Sequence, residues 1–147
     1  MPSWRETTPQ AVQDDLDGVV SAALDTAEHL LVKNGEFFPF GMTVGDGGDV
    51  GMAGGDPGLG EAPASLAVLE TLYAGAKGNR DAYRAVAFVA DVAAGGGDAV
   101  RVEAEHRDGG PPLVVVMPYV RKGLVKKAVT FGQMTADAGE RRIWTDG

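Results

Sequence analysis

The chain has 147 residues, 44% hydrophobic and 23% charged, so it can bury a core without disulfide or metal support. It contains no cysteine, which excludes disulfides, thiolate metal sites, iron–sulfur clusters and cysteine nucleophiles. The net charge of -8 repels phosphate and disfavours nucleic-acid binding.

The N-terminal sequence lacks the basic and then apolar order of a signal peptide. The longest apolar runs, 85–90 and 113–117, are far too short to cross a bilayer. We therefore expect a cytoplasmic protein with no membrane partner.

The first predicted element is a long amphipathic helix over residues 9–33. Thr8 is a typical N-cap, and Pro9 suits the first helical position. Asn34-Gly35 ends the helix, because these residues readily adopt positive φ. Apolar residues recur at three- and four-residue steps, which places them on one side of the helix: Val12, Leu16, Val19, Val20, Ala23, Leu24, Ala27, Leu30 and Leu31.

A hairpin over residues 36–53 and a second helix over residues 62–77 follow. The hairpin is predicted from an aromatic segment, a Gly-Asp-Gly-Gly turn at 45–48 and a short apolar return. The second helix starts near Pro63, and leucines at helical spacing form its apolar side.

Residues 83–134 are predicted to form three or four antiparallel strands, and the tail 135–147 is expected to fold back through Trp144. The segment 113–120 is apolar on both faces, which indicates a strand covered on both sides or held against a partner. Alternating residues and Gly-rich turns delimit the strands, which we assign to residues 83–92, 100–106, 113–120 and 125–134.

The element order α-ββ-α-βββ(β) predicts an α+β fold in a single domain spanning 1–147. Sequential antiparallel strands pair with their neighbours, and the helices are expected to lie together on one face of the sheet. The expected architecture is a two-layer sandwich with an antiparallel sheet of about five to six strands.

Two phrases of the sequence are distinctive: Phe37-Phe38-Pro39-Phe40-Gly41 and Glu105-His106-Arg107-Asp108-Gly109. They resemble phrases found in a group of small uncharacterised bacterial proteins, a resemblance that implies no particular activity. The element order resembles profilin-like and roadblock-type domains, which implies a similar fold and no functional residues.

Catalytic chemistry has few candidates. His106 follows Glu105 at a predicted strand end, so it is a candidate general base beside a carboxylate, with Tyr119 nearby. A histidine supporting a turn is the alternative reading. Glu103 and Glu105 are two residues apart on a predicted strand, so their side chains share one face. They form either an exposed row of charged residues or a catalytic pair of carboxylates. No metal site and no cofactor are expected, because His29 and Asp25 lack a third ligand.

The aromatic segment is the best candidate for an interaction surface. In strand geometry Phe38 and Phe40 share one face and Phe37 the other, so one set enters the core. The other set either fills a second core or contacts a partner at a sheet edge. Val114 and Val116 extend this candidate surface, because one face of their strand lies away from the helices.

Two functional hypotheses follow. The first is a non-enzymatic protein-interaction module that self-associates as a homo-oligomer and neutralises or regulates a partner protein. The second is a small enzyme or ligand-binding protein with a pocket between helices and sheet near His106.

Overall fold

The computed structural model describes residues 5–34, 37–53, 65–94, 96–122 and 128–145. These residues form two helices and a curled antiparallel sheet of six to seven strands. The predicted α+β class and the order α-ββ-α-βββ are confirmed.

The helices are α1 (Gln10–Asn34) and α2 (Ser65–Gly78), and a 3-10 turn at Arg80–Ala82 precedes the third strand. Neighbouring strands are antiparallel in the order β2-β1-β3-β4-β5-β6, and β7 also pairs with β5. The strands are β1 (Phe40–Gly45), β2 (Val50–Ala53), β3 (Tyr83–Ala94), β4 (Gly97–His106), β5 (Leu113–Lys122), β6 (Ala128–Phe131) and β7 (Thr135–Ala138).

The helix predicted over residues 9–33 corresponds to α1. The carbonyl of Pro9 accepts hydrogen bonds from the amides of Val12 and Gln13, which begins the helical ladder. The Gln13 side chain donates 2.8 Å hydrogen bonds to the carbonyls of Arg5 and Thr8 and so fixes the preceding turn. The buried side of α1 consists of residues at three- and four-residue steps: Val12, Leu16, Val19, Ala23, Ala27 and Leu31.

The two helices pack on opposite faces of β3. Ala85, Ala87 and Val89 belong to the core under α1, whereas Val86 and Phe88 pack with α2. The two helices were expected to lie together on one face of the sheet. In the structure α1 and the sheet form the two layers, and α2 covers part of the reverse face. The reason is that consecutive strand residues point to opposite faces, and residues 85–90 are all apolar and buried, so both faces need cover.

The sequence predicted that the strand over 113–120 is covered on both faces or held against a partner. In the structure, the strand that is buried on both faces is β3. In β5, Leu113, Val115 and Tyr119 are buried, whereas Val114 is half-buried and Val120 is 57% exposed. The reverse face of β5 is only partly covered, because α2 packs chiefly against β3 and β1.

The last predicted strand, 125–134, contains β6, and a further strand, β7, lies in the segment 135–147 that was predicted to be a tail. Tyr119 pairs with Phe131, but Val116 pairs with Thr135, so the register shifts between them. Pro118 lies at the shift and has no amide hydrogen, and its carbonyl accepts from the amide of Gly132 at 2.7 Å. The start of the predicted strand, 125–127, and the start of the second predicted helix, 62–64, lie outside the described residues.

The part of the chain that the structure describes contains no helix long and apolar enough to span a membrane.

The buried side of α1 predicts a sharp difference between two substitutions in that helix. Leu16 is 0% exposed and Val32 is 40% exposed. Leu16→Ala should lower the free energy of unfolding by about 2–5 kcal/mol because it leaves a cavity, whereas Val32→Ala should change it by less than about 0.5 kcal/mol. Urea denaturation measures both values, and equal losses would contradict this placement of the helix.

Candidate functional site

His106 connects β4 to α1. Its Nε2 lies 2.8 Å from Oδ2 of Asp15, and its Nδ1 accepts a 3.0 Å hydrogen bond from the amide of Asp108. Because a backbone amide can only donate, Nδ1 is unprotonated and Nε2 carries the hydrogen that is donated to Asp15. The His106 side chain is 2% exposed, so both ring nitrogens are held in internal contacts and neither faces a substrate.

Glu105 and Tyr119 do not share a site with His106. Glu105 points to the opposite face of the sheet, because consecutive strand residues alternate. Tyr119 pairs in register with Asp98, eight residues from His106 along β4, or about 26 Å at about 3.3 Å per residue. Its hydroxyl donates a 2.6 Å hydrogen bond to Asp91. The structure therefore does not assemble the predicted pocket of His106, Glu105 and Tyr119.

The buried carboxylate of Glu105 holds the C-terminal segment. Glu105 is 4% exposed and accepts hydrogen bonds from the amides of Arg142, Ile143 and Trp144 at 2.7, 3.3 and 2.9 Å. Arg80 donates to the carbonyls of Ile143 and Thr145, both at 2.9 Å. Ile143 is fully buried against α2, so these contacts fasten the end of the chain to the reverse face.

Glu103 lies next to this segment on the same face of β4. The hydroxyl of Tyr73 donates to it at 2.5 Å and Arg101 at 2.6 Å, while Arg142 stacks 4.7 Å above the Tyr73 ring. Glu103 and Glu105 are thus neither a solvated row nor a free pair of carboxylates. Each is buried, and each accepts hydrogen bonds from several donors of the protein.

These contacts shift two pKa values in opposite directions. Burial and the hydrogen bond to Glu103 raise the pKa of Tyr73 to about 12. Burial alone would raise the pKa of Glu103, but the hydrogen bonds from Tyr73 and Arg101 outweigh it and hold that pKa below its usual value.

The predicted interaction residues do not form one surface. Phe40 is buried, and Phe37 packs edge-on against it with ring centroids 5.5 Å apart, whereas Phe38 is 54% exposed. The prediction that Phe38 and Phe40 share a face is wrong, because the strand begins only at Phe40 and its alternation does not extend back to Phe38. The half-buried Val114 and Val116 lie on β5, which β3 and β4 separate from β1.

A groove of about 250 Å³ lies between α1 and the sheet edge at β5 and β7 and is called the α1–β7 groove below. Arg5, Asp17 and Ser21 supply its polar part, and two 2.8 Å hydrogen bonds join Arg5 to Asp17 and lower the pKa of that carboxyl. Its apolar lining consists of Val20, Leu24, Leu113, Val115, Met134 and Ala136.

The second cavity is much smaller. It occupies about 10 Å³ beside Glu103 and Glu105, which is room for about one water molecule. The α1–β7 groove is therefore the candidate site. Sequence reasoning missed it, although the width of the α1 apolar stripe was a signal: Val20 and Leu24 lie beside the side that packs on the sheet.

Among the described residues, no cluster of three histidines and carboxylates has the geometry to hold a metal ion. In comparisons with known proteins, no family model, curated protein or solved structure matches this chain. The resemblances stated above stay predictions.

Stability should depend on pH through Tyr73 and Glu103. The folded pKa of Tyr73 is raised from 10.0 to about 12. The contribution of Tyr73 to the free energy of unfolding is therefore complete below pH 10 and is lost as the pH rises toward 12. The folded pKa of Glu103 is lowered from 4.5, so the contribution of Glu103 to stability is present above pH 4.5 and is lost as the pH falls toward the lowered pKa. Urea unfolding should show that the wild type loses more stability than Tyr73→Phe between pH 10 and 12. Equal losses in the two proteins would contradict the raised pKa of Tyr73.

The C-terminal segment should loosen when Glu105 loses its charge. Glu105→Gln replaces one accepting oxygen with a donor that faces backbone amides, so the protein should lose about 1–3 kcal/mol of stability. Amides 142–144 should exchange with deuterium faster in this variant. Glu140→Gln, an exposed neighbour of the same segment, is the control and should change neither quantity. Unchanged exchange in Glu105→Gln would show that Glu105 does not hold the segment.

Proposed function

We propose that this protein is a non-enzymatic interaction module that binds an apolar segment of a basic partner protein in the α1–β7 groove. The supporting observation is the groove itself, which leaves six apolar side chains facing a space that the described chain does not fill. Its volume of about 250 Å³ lies just below the roughly 300–1,000 Å³ of typical small-molecule pockets. A few side chains of a partner suit a space of this size.

The titratable residues support an interaction role over catalysis. His106 bonds Asp15 and an amide, Glu105 bonds three amides, and Glu103 bonds Tyr73 and arginines. A general base needs a free position within hydrogen-bonding reach of a substrate, and these groups are already engaged with the protein.

The charge distribution supports a basic partner. The whole chain carries -8. Asp14 and Glu28 follow the same side of α1 as Ser21, because their spacings are close to multiples of the helical turn, whereas Asp17 on that side is paired with Arg5. Acidic side chains beside an apolar groove favour segments flanked by lysine or arginine and accelerate their association.

Self-association and a cytoplasmic location stay predictions. Two copies of this chain repel each other through their net charges of -8, so any homo-oligomer needs local apolar contact, for which the exposed Phe38 is the candidate. Light scattering over a range of protein concentrations measures the oligomeric state, and a comparison with Phe38→Ser tests the contact.

The groove predicts that a bulky residue at one exposed position abolishes binding. Ser21 lines the groove from the exposed side of α1, so Ser21→Trp should fill it without disturbing the core. His29→Trp is the matched control, because His29 is exposed on the same helix and does not line the groove. Peptides selected from a displayed random library on the wild-type protein should bind His29→Trp equally and Ser21→Trp at least about tenfold more weakly.

The selection also defines the outcome that contradicts the proposal. If no selected peptide distinguishes Ser21→Trp from His29→Trp, the α1–β7 groove is not the interaction site.

A further inference from the structure

We infer that the partner segment binds as an added β-strand along the outer edge of β7, with alternate side chains in the α1–β7 groove. This inference rests on the proposed function and specifies the backbone conformation of the ligand. Among the described strands, β7 pairs only with β5, so its other edge is open.

The backbone directions in β7 follow from one hydrogen bond. The amide of Gly139 donates to the carbonyl of Pro112 at 2.8 Å, so position 139 faces β5. Backbone groups alternate in direction along a strand, so Asp137 and Thr135 also face β5, whereas Ala136 and Ala138 face outward. The N–H and C=O groups of these two alanines are therefore available to an added strand.

The side chains of β7 leave this edge accessible. All four residues of β7 are exposed, and the two that face outward through their backbone are alanines. Natural sheets commonly block open edges with charged side chains or bulges. Here the break between β6 and β7 limits the regular edge to a short length, and the only charged residue in β7 is Asp137.

The two faces of the added strand meet different surfaces. Ala136 lines the groove and pairs with Val115, so its face of the sheet is the one under α1. Alternate residues of an added strand point to this side, and apolar side chains there enter the groove. The remaining residues share the reverse face with Asp137, where lysine or arginine is favoured. The inferred ligand alternates apolar residues with polar ones and carries basic residues on the polar side.

The test uses the full chain and the synthetic peptide KVTVTVK, which places its valines on one face and its lysines on the other. Ala138→Pro removes one outward amide, and proline is tolerated at a strand edge where its nitrogen faces solvent. Loss of one backbone hydrogen bond should weaken binding about five- to tenfold, as measured by titration calorimetry. Ala138→Ser retains the amide and should bind like the wild type.

Two further measurements separate the possible outcomes. Deuterium exchange at the amides of Ala136 and Ala138 of the wild type should slow when the peptide binds, which also tests the inference if Ala138→Pro does not fold. The peptide EVTVTVE should bind more weakly than KVTVTVK, and salt should reduce that difference.

The inference is overturned if KVTVTVK does not bind, or if it binds Ala138→Pro as tightly as wild type without protecting these amides. The proposed function is judged separately by the comparison of Ser21→Trp with His29→Trp. A groove-dependent peptide that leaves the β7 amides unprotected would therefore retain the proposed function and exclude strand addition.

Discussion

The burial of β3 on both faces is the constraint on which the rest of the structure depends. Residues 85–90 are all apolar and buried, and they point alternately toward α1 and toward α2. A strand with two apolar faces requires cover on both sides. One helix on each face meets this need and places the C-terminal segment beside α2, where Ile143 completes the smaller core.

The same arrangement accounts for the polar residues near the core. Buried carboxylates and histidines must be hydrogen-bonded, because an unpaired buried polar group costs several times more than a hydrogen bond gains. Glu105 therefore binds three amides of the returning chain, and His106 bridges Asp15 and the turn after β4. These residues join distant segments of the chain. Because their polar atoms already bond to the protein, they are not available to a substrate.

The α1–β7 groove arises from a mismatch in width. A single helix is about 10 Å across, and strands are spaced about 4.8 Å apart, so one helix covers only two or three strands. Beneath α1 lie chiefly β1, β3 and β4, and the curled sheet also brings β6 against it, whereas the edge formed by β5 and β7 is little covered. Val20, Leu24, Leu113 and Val115 line the resulting gap. The proposed interaction surface is therefore a consequence of having only one helix on this face.

The sequence by itself determined the type and order of the elements as far as β6, because periods of 3.6 and 2 residues are properties of the local chain, whereas β7 lies in the segment predicted as a tail. The apolar stripe of α1 and the alternating residues of the strand predicted over 100–106 were both recognised in this way. Which face α2 covers, and that Glu105 meets the amides of residues 142–144, were decided only by tertiary structure. Those contacts join residues more than thirty positions apart, and no local pattern encodes which distant donor will satisfy a buried acceptor.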